Sequence, residues 1–315
     1  MTAESLTKVK EIFADVFAQI GKVVVGQQEV IRQMVIAILC NANVLVEGYP
    51  GLAKTLSVRT LAQLMDMKFS RIQGTPDLMP SDITGTYVLE EGRSGREFKF
   101  QHGPIFANIV LMDEVNRSTP KTQSALLEAM QERQVTVGNT TFKLEEPFFV
   151  LATQNPVEQE GTYVLAEAQS DRFLFKIKAT YPTAEEEMEI VNRMTESSSK
   201  TQVKLQPIIS KAMLAQLQEL VRRIPVANDI KRYAFDLINK TRKQKELIEY
   251  GASPRASIGL ILAAKANALL EGRNFVTKQD IDLMAFPILR HRIILNFEAE
   301  RNNFDEDDVV KYLLR

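Results

Sequence analysis

A stretch rich in glycine and proline, residues 47–55, constrains the fold of this 315-residue chain more than any other feature. It reads Glu-Gly-Tyr-Pro-Gly-Leu-Ala-Lys-Thr and follows the apolar run 43–46. A helical pattern continues from it to about Met65, and the apolar segment 69–72 indicates a second strand. Because parallel neighbours need a crossover of this kind, two short apolar strands joined by a helix predict a parallel sheet.

The same stretch has the composition of a phosphate-binding loop. Gly48 and Gly51 let the backbone approach a ligand closely, and backbone N–H groups at a helix N-terminus attract negative charge. In such a loop Lys54 reaches the β- and γ-phosphates, and the Thr55 hydroxyl binds a bridging Mg²⁺. The usual pattern is GxxxxGK followed by Ser or Thr, and Ala53 departs from it. Because a methyl group at positive φ costs about 1 to 2 kcal/mol, we expect Ala53 to have a negative φ.

Composition argues against several other classes of protein. Basic and acidic residues are balanced, 39 against 40, so no long-range field attracts nucleic acid. One cysteine and two histidines exclude a disulfide framework and a zinc cluster. The longest apolar run, Met34 to Cys40, is too short for a membrane span, and the N-terminus lacks a signal-peptide pattern. We therefore expect a cytoplasmic protein of about two domains.

The first part of the chain alternates strands and helices. Helices are expected at 4–20 and 27–40, before the first strand. Further apolar strands are predicted at 109–112, 148–152 and 173–177, which with the first two make a five-stranded parallel sheet in an α/β domain, residues 1–182. A helix is predicted at 121–133, and two β-hairpins are inserted, at 86–100 and 135–142.

The rest of the chain, residues 183–315, is predicted to be a smaller domain of helices only. Thr183 and Glu186 form a capping box at its start. The polar stretch 196–200 indicates an exposed connection, and the basic run 231–245 a solvated helix face. Helices are expected at 183–195, 210–223, 229–248, 254–271, 277–290 and 305–314.

Polar residues follow two of the apolar strands. Asp113 and Glu114 come directly after 109–112, and Asn155 comes after 148–152. Open α/β sheets bind ligands at the carboxyl ends of their strands, so these side chains are expected beside the phosphate loop. There Asp113 would hold Mg²⁺ through water, and Glu114 would orient and deprotonate the attacking water. Asn155 could hydrogen-bond the γ-phosphate and that water, although an Asn-Pro turn explains the residue better when it is taken alone.

Two arginines are candidates for stabilising the transferred phosphoryl group. Arg172 precedes the fifth strand, and Arg255 opens a helix of the second domain. A cation placed where charge develops accelerates phosphoryl transfer by about 10³ to 10⁵. Taken alone, however, each arginine is better explained as part of a surface ion pair.

Together these motifs, in this order, resemble an AAA+ ATPase over nearly the whole chain. More narrowly, the segments GYPGLAKT, LMDEVNRS, ATQNP, SDRFLF and GASPRA resemble the MoxR family, and the two hairpins match the insertions of that clade. An alanine before the lysine is usual in this family. The resemblance implies an AAA+ P-loop domain followed by a helical lid, with Lys54 and Thr55 as Walker A, Asp113 and Glu114 as Walker B, and Asn155 as sensor 1.

The resemblance also implies roles for residues outside these motifs. Arg172 matches the arginine finger, which acts on the nucleotide of the neighbouring subunit, and Arg255 matches sensor 2, which completes the site from the chain's own lid. Arg117 is expected at a subunit boundary, and residues 25–27 resemble the segment that holds adenine. The residues expected to contact ATP are Val25, Gly26, Gln27, Gly48, Tyr49, Pro50, Gly51, Leu52, Ala53, Lys54, Thr55 and Leu56.

The function that the resemblance implies is Mg²⁺-dependent ATP hydrolysis in a ring, usually a hexamer, coupled to remodelling or maturing client proteins. Relatives of this kind commonly work with a von Willebrand factor A domain protein. Two other functions stay open: a nucleic-acid motor or loader, and a nucleotide-dependent assembly switch with little turnover. The balanced charge argues against the first, and the complete set of catalytic residues argues against the second.

Overall fold

A computed structural model describes residues 3–92, 95–157, 162–195 and 204–315. The strands are β1 Val44–Glu47, β2 Phe69–Gln73, β3 Gly85–Gly92, β4 Gly95–His102, β5 Ile109–Asp113, β6 Gln134–Val137, β7 Thr140–Lys143, β8 Phe149–Gln154, β9 Phe175–Lys178, β10 Ile248–Tyr250 and β11 Ile294–Leu295. The helices are α1 Ala3–Gly21, α2 Gln28–Leu39, α3 Lys54–Leu64, α4 Pro80–Thr84, α5 Pro120–Glu132, α6 Glu167–Ser170, α7 Ala184–Thr195, α8 Lys211–Arg223, α9 Asn228–Lys243, α10 Pro254–Leu270, α11 Lys278–Leu289, α12 Phe297–Arg301 and α13 Glu306–Leu313. A 3₁₀ turn at Val115–Arg117 follows β5.

The predicted five-stranded parallel sheet is present, in the order β2-β5-β8-β1-β9. The three central strands, β5, β8 and β1, are buried and apolar over most of their length because both faces are covered, whereas the edge strands β2 and β9 also carry charged side chains. Side chains alternate between the faces: Val44 and Val46 of β1 enter the core shared with α1, α2, α3 and the C-terminal helices, whereas Leu45 enters the core shared with α5. All five carboxyl ends meet at one edge of the sheet, which therefore carries the loops after β1, β5 and β8.

Both predicted hairpins are present, and they contact each other. β3 pairs with β4 and β6 with β7, each antiparallel. Phe100 of the first hairpin stacks on Phe142 of the second, with ring centroids 4.1 Å apart. The Tyr87 hydroxyl also donates to Thr140 Oγ1 at 3.2 Å. Because these contacts join the hairpins, the two insertions form one surface feature.

The C-terminal part confirms the expected helices but is not helical throughout. The helix expected at 229–248 ends at Lys243, and β10 pairs antiparallel with β11. The prediction failed because Ile248 becomes fully buried in that pairing, and helical periodicity does not show a partner 47 residues away. The short helices α4, α6 and α12 were also not predicted. The connection expected at 196–200 lies outside the described residues.

The capping box predicted at Thr183 is present. The Thr183 N–H donates to Glu186 Oε2 at 2.9 Å, and the Glu186 N–H donates to Thr183 Oγ1 at 3.3 Å. α7 therefore begins directly after the sheet, beside the loop that follows β1. No helix within the described ranges is long and apolar enough to cross a membrane.

Candidate nucleotide-binding site

The loop after β1 forms one wall of a cavity of about 380 Å³ at the carboxyl edge of the sheet. Of the residues predicted to carry chemistry, the structure brings Lys54, Thr55, Asp113, Glu114 and Asn155 together around it. They come from three different strand ends, as the topology requires. The full lining is Pro50, Gly51, Leu52, Ala53, Lys54, Thr55, Leu56, Arg71, Gln73, Asp113, Glu114, Thr153 and Asn155.

Two residues give the loop its shape. A Cβ on Gly48 would lie 2.8 Å from the Ala179 side chain, so glycine is needed there for packing against the end of β9. Ala53 has φ 53°, so the expected negative φ is wrong. The prediction used only the local cost of a left-handed alanine. The start of α3 offsets that cost, because the Ala53 carbonyl accepts from both the N–H and the Oγ of Ser57, each at 2.9 Å.

Replacing Ala53 by glycine should raise the free energy of unfolding by about 0.5 to 1 kcal/mol. Glycine has no Cβ, so the substitution removes the cost of the left-handed conformation. That cost is larger than the entropic cost of glycine, so a net stabilisation remains. ATP binding should be retained, because the backbone path does not change. Thermal or urea unfolding measures the effect. Ala215→Gly, at an exposed position within α8, is the matched control and should lower stability by about 1 kcal/mol. A lower free energy of unfolding for Ala53→Gly would show that the left-handed conformation of Ala53 does not destabilise the fold.

Lys54 and Thr55 open α3 inside the cavity. Lys54 Nζ donates to the Gly48 carbonyl at 2.6 Å. Burial lowers the pKa of Lys54, and the nearby charges of Asp113 and Glu114 oppose that shift. Thr55 Oγ1 lies 3.4 Å from Asp113 Oδ2, so a hydroxyl and a carboxylate oxygen face the same space. These are oxygen donors of the kind that Mg²⁺ prefers.

Asp113 is held by two residues that sequence reasoning missed. Arg71 Nε and Nη2 donate to Asp113 Oδ2 at 3.0 and 2.8 Å, and Thr153 Oγ1 donates to Oδ1 at 2.8 Å. The Thr153 oxygen also accepts the Glu114 N–H at 2.8 Å. One hydroxyl thus fixes both members of the acidic pair. The available signals were a charge within the apolar strand 69–72 and a hydroxyl two residues before Asn155.

Glu114 projects into the cavity from a strained backbone. Its φ is 54°, in the left-handed region that non-glycine residues seldom adopt. The carboxylate Oε2 accepts from Gln73 Nε2 at 2.9 Å and from Arg117 Nη1 at 3.1 Å. Arg117, expected at a subunit boundary, is therefore in contact with the acidic pair itself. These two donors orient the Glu114 carboxylate.

Asn155 combines the two interpretations given for it. Its Oδ1 accepts the Val157 N–H at 3.2 Å, which closes the Asn-Pro turn. The same side chain lines the cavity with the loop. The turn therefore positions an amide at the end of β8.

A second cavity, of about 590 Å³, lies beside residues 25–27. Val25 and Gly26 line it together with the start of α2 and with Glu186 and Glu189 of α7. A Cβ on Gly26 would lie 3.0 Å from the Glu186 carboxylate, so the turn passes close to α7.

Three residues expected to contact ATP line neither cavity. Gln27 Nε2 donates to the Thr180 carbonyl at 2.7 Å, Tyr49 stacks on Tyr181 with centroids 5.0 Å apart, and Gly48 packs on Ala179.

Arg172 and Arg255 lie together at the opposite edge of the sheet. They line a cavity of about 200 Å³ with Asn43, Met130 and Gln131. Asn43 precedes β1 and Arg172 precedes β9, so this cavity is at the amino ends of the strands. The four residues of β1, at roughly 3.3 Å each, put about 13 Å between the two edges. The structure therefore does not bring Arg255 to the phosphate loop of its own chain.

A buried ion pair joins the segment of Arg172 to the C-terminal helices. Arg292 Nε donates to Asp171 Oδ1 at 2.8 Å, and the Arg292 side chain is only 3% exposed. Ser253 Oγ, at the N-cap of α10, also donates to Asp171 at 3.0 Å. Burial lowers the pKa of Arg292, and its pairing with Asp171 opposes that shift. Sequence reasoning missed Arg292, whose partner lies 121 residues away.

Arg292 also fixes the backbone on both sides of this junction. Its Nη1 donates to the carbonyls of Leu174, at 3.0 Å, and Ile288, at 2.7 Å. The residues beside Arg172 and the start of α10 with Arg255 are therefore held in one hydrogen-bonded unit. This unit therefore couples the backbone positions that carry the two arginines.

A phosphate loop, an acidic pair after a buried strand and a helical lid define a protein of the AAA+ class. Residues 43–175 match the family model for the ATPase family associated with various cellular activities, and residues 240–312 match the AAA lid domain. The chain belongs to the MoxR family of AAA+ ATPases. It is 42% identical to the Chaperone MoxR1 of Mycobacterium tuberculosis, over 100% of this chain and 83% of that protein.

Two further relatives are similar over most of their length. The protein YeaC of Bacillus subtilis is 44% identical, over 94% of this chain and 91% of its own. A crystal structure of a proposed ATPase from Cytophaga hutchinsonii has a TM-score of 0.91 and 44% identity, and the match covers 99% of this chain and 96% of that one. The expected fold and family are therefore confirmed.

Proposed function

We propose that this chain hydrolyses ATP with Mg²⁺ in a ring of identical copies, a hexamer, and uses the energy to remodel or mature client proteins. One observation carries the proposal. Lys54, Asp113 and Glu114 share a cavity at one edge of the sheet, whereas Arg172 and Arg255 share another at the opposite edge. An ATPase site that needs both groups is completed between two copies arranged head to tail.

Three residues of the cavity at the phosphate loop are proposed to act directly on ATP or on the attacking water. Glu114, oriented by Gln73 and Arg117, accepts a proton from the attacking water. Lys54 exchanges the Gly48 carbonyl for the β- and γ-phosphates when ATP binds. Asn155 hydrogen-bonds the γ-phosphate and the water.

Mg²⁺ fits the oxygen donors of Thr55 and Asp113, which lie 3.4 Å apart in the cavity lining. When bound, Mg²⁺ neutralises charge on the β- and γ-phosphates. The contacts of Arg71 and Thr153 keep the Asp113 carboxylate in a fixed orientation toward that ligand. Both residues act through Asp113 and are positioning residues.

Arg172 and Arg255 then act together on the nucleotide of the next copy. For Arg255 this changes the role that the resemblance implied, because completion of the site from the chain's own lid would require it at the other edge of the sheet. The Asp171–Arg292 pair supports joint action, since it holds the two arginines in one unit. A cation supplied in this way stabilises the charge that develops on the transferred phosphoryl group.

The two parts of the chain divide the remaining work. We assign residues 1–182 to nucleotide binding and 183–315 to the lid. The cavity of about 590 Å³ beside Val25 and Gly26 accommodates adenine, and α7 closes it. A von Willebrand factor A domain protein and a client protein are the proposed partners, by analogy with the family.

The ATPase rate per subunit should rise with protein concentration and then reach a plateau. A monomer lacks the arginines of a neighbour, and mass action forms the complete site. Phosphate release at increasing concentrations measures this, with Lys54→Ala as the control for contaminating activity. A flat rate near zero would indicate a nucleotide-dependent switch. Stimulation by DNA with a steep salt dependence would indicate a nucleic-acid motor.

A further inference from the structure

The lid carries an open apolar groove directly beside Arg255. It has a volume of about 530 Å³ and lies between the end of α8, the start of α9 and the first turns of α10. Ile258, at the centre, is 69% exposed. The side chains that matter are the apolar Ile258, Ile261 and Leu262 and the basic Arg222, Lys231 and Lys265.

The rim of this groove has one sign of charge. No carboxylate is present among the described residues that line it. The three cations are close enough to affect one another: burial lowers the pKa of Lys265, and the charges of Lys231 and Arg222 lower it further. An apolar floor with unneutralised cations fits a partner segment whose apolar side chains are flanked by carboxylates.

Helix α7 has that composition. None of its twelve residues is buried. Met188 is 62% exposed and Met194 76%, and with Val191 they recur every third residue along the helix. Glu185 and Glu187 precede Met188 within the first turn of the helix and are also exposed. The other side of α7, with Glu186 and Glu189, lines the cavity beside Gly26. Its apolar side therefore faces away from its own chain.

α7 and the groove lie at opposite edges of the sheet. α7 follows Tyr181, which stacks on Tyr49 of the phosphate loop, at the carboxyl ends of the strands. The groove lies along the first turns of α10, the helix that carries Arg255 at the amino ends of the strands. A head-to-tail contact that brings Arg255 to the phosphate loop of the next copy thus also brings the groove toward that copy's α7.

The spacing on the two sides agrees. From Arg255 to Leu262 is seven residues of helix, and from Ala184 to Val191 is also seven. At roughly 1.5 Å per residue, each surface extends about 10 Å from the point where the two copies meet at the nucleotide. The apolar side chains of the two surfaces therefore lie at similar distances from that point, and the charges beside them are opposite.

We propose that this groove binds α7 of the neighbouring copy in the ring. Met188 and Val191 pack on Ile258 and Leu262, and Glu185 and Glu187 face the basic rim. The inference rests on the proposed function, because it uses the arrangement that brings Arg172 and Arg255 to the next copy. The proposed contact lies outside the nucleotide site and helps to hold the two copies together.

Disulfide trapping tests the contact. Cys40 is the only cysteine and is buried, so introduced cysteines have little background. A Met188→Cys chain mixed with an Ile258→Cys chain, with ATP and mild oxidation, should yield a cross-linked dimer that neither variant forms alone. One chain carrying both substitutions should give a ladder of linked oligomers. Leu283→Cys, at an exposed lid position outside the groove, is the matched control and should not link to Met188→Cys.

Charge reversal provides a second measurement. Lys231→Glu with Lys265→Glu should raise the protein concentration for half-maximal ATPase about tenfold, because like charges then meet across the contact. Adding Glu185→Lys and Glu187→Lys to the same chain should restore the original concentration dependence. Lys243→Glu with Lys311→Glu changes the net charge equally outside the groove and should have little effect.

The outcomes separate this inference from the proposed function. If the ATPase rate per subunit still rises with concentration but Met188→Cys and Ile258→Cys do not link, the docking contact is wrong and the proposed ring is not contradicted. A rate that stays flat at all concentrations overturns the proposed function, and the docking contact with it. If Phe98→Cys, on the exposed first hairpin, links to Ile258→Cys in place of Met188→Cys, the groove binds the hairpin and the inference is wrong.

Discussion

Replacing Glu114 by glutamine should lower ATP hydrolysis by about 10² to 10⁴ and leave ATP binding intact. The amide has the shape of the carboxylate but cannot accept a proton from the attacking water. The backbone of residue 114 should keep its place, because its N–H donates to Thr153 Oγ1 and does not depend on the side chain. The loss should therefore appear in kcat and not in the affinity for ATP.

Turnover is measured by phosphate release, and binding by calorimetry with Mg²⁺ and ATP. Glu128→Gln, an exposed position on α5, is the control for the loss of one negative charge and should hydrolyse ATP normally. Undiminished hydrolysis by Glu114→Gln would show that another group is the base. If the proposed ring forms, this variant should hold ATP within it, and a pull-down with the variant would test for the proposed partner and client.

Much of this site could be predicted because the fold reduces it to a rule about strand ends. Lys54, Asp113 and Asn155 each follow an apolar strand, and parallel strands of one sheet end at a common edge. That rule needs no knowledge of the order of the strands. The grouping of five residues at this edge could therefore be predicted from the sequence: Lys54, Thr55, Asp113, Glu114 and Asn155.

Arg71 and Thr153 were not within reach, because their contacts depend on strand order. Arg71 lies on β2 and Thr153 on β8, and they reach Asp113 from either side because β5 lies between those strands. Hydrophobic periodicity predicts that a strand exists but not which strands are its neighbours. The side of the molecule that Arg255 occupies depends in the same way on tertiary contacts, here the pairing of Asp171 with Arg292 and Ser253.

Ala53 shows the opposite limit, in which a correct local rule gives a wrong result. Left-handed alanine does cost about 1 to 2 kcal/mol, but the loop must begin α3 at Lys54. Contacts with Ser57 and the constraint on Gly48 outweigh a penalty of that size. Local preferences of about 1 kcal/mol therefore predict poorly at a binding site, where the surrounding fold determines the backbone.

Replacing Arg172 by alanine should lower hydrolysis by about 10³ to 10⁵, the largest effect expected from one side chain outside the cavity. The affinity of the same chain for ATP should change little, because Arg172 lies at the far edge of the sheet from its own phosphate loop. Arg172 is exposed, so the fold should tolerate the change. Phosphate release and calorimetry again separate the two quantities.

Mixing two inactive variants tests whether this arginine acts on the next copy. Arg172→Ala chains retain the base, and Glu114→Gln chains retain the arginine, so in a random equal mixture about one site in four has both. Hydrolysis should return to that extent. A mixture of Arg172→Ala with the double variant Arg172→Ala and Glu114→Gln has no complete site and should stay inactive. If the first mixture is also inactive where the unmodified protein turns over, Arg172 does not act between copies, and a catalytic cation must be sought within one chain, beginning with Arg71 and Arg117 beside the acidic pair.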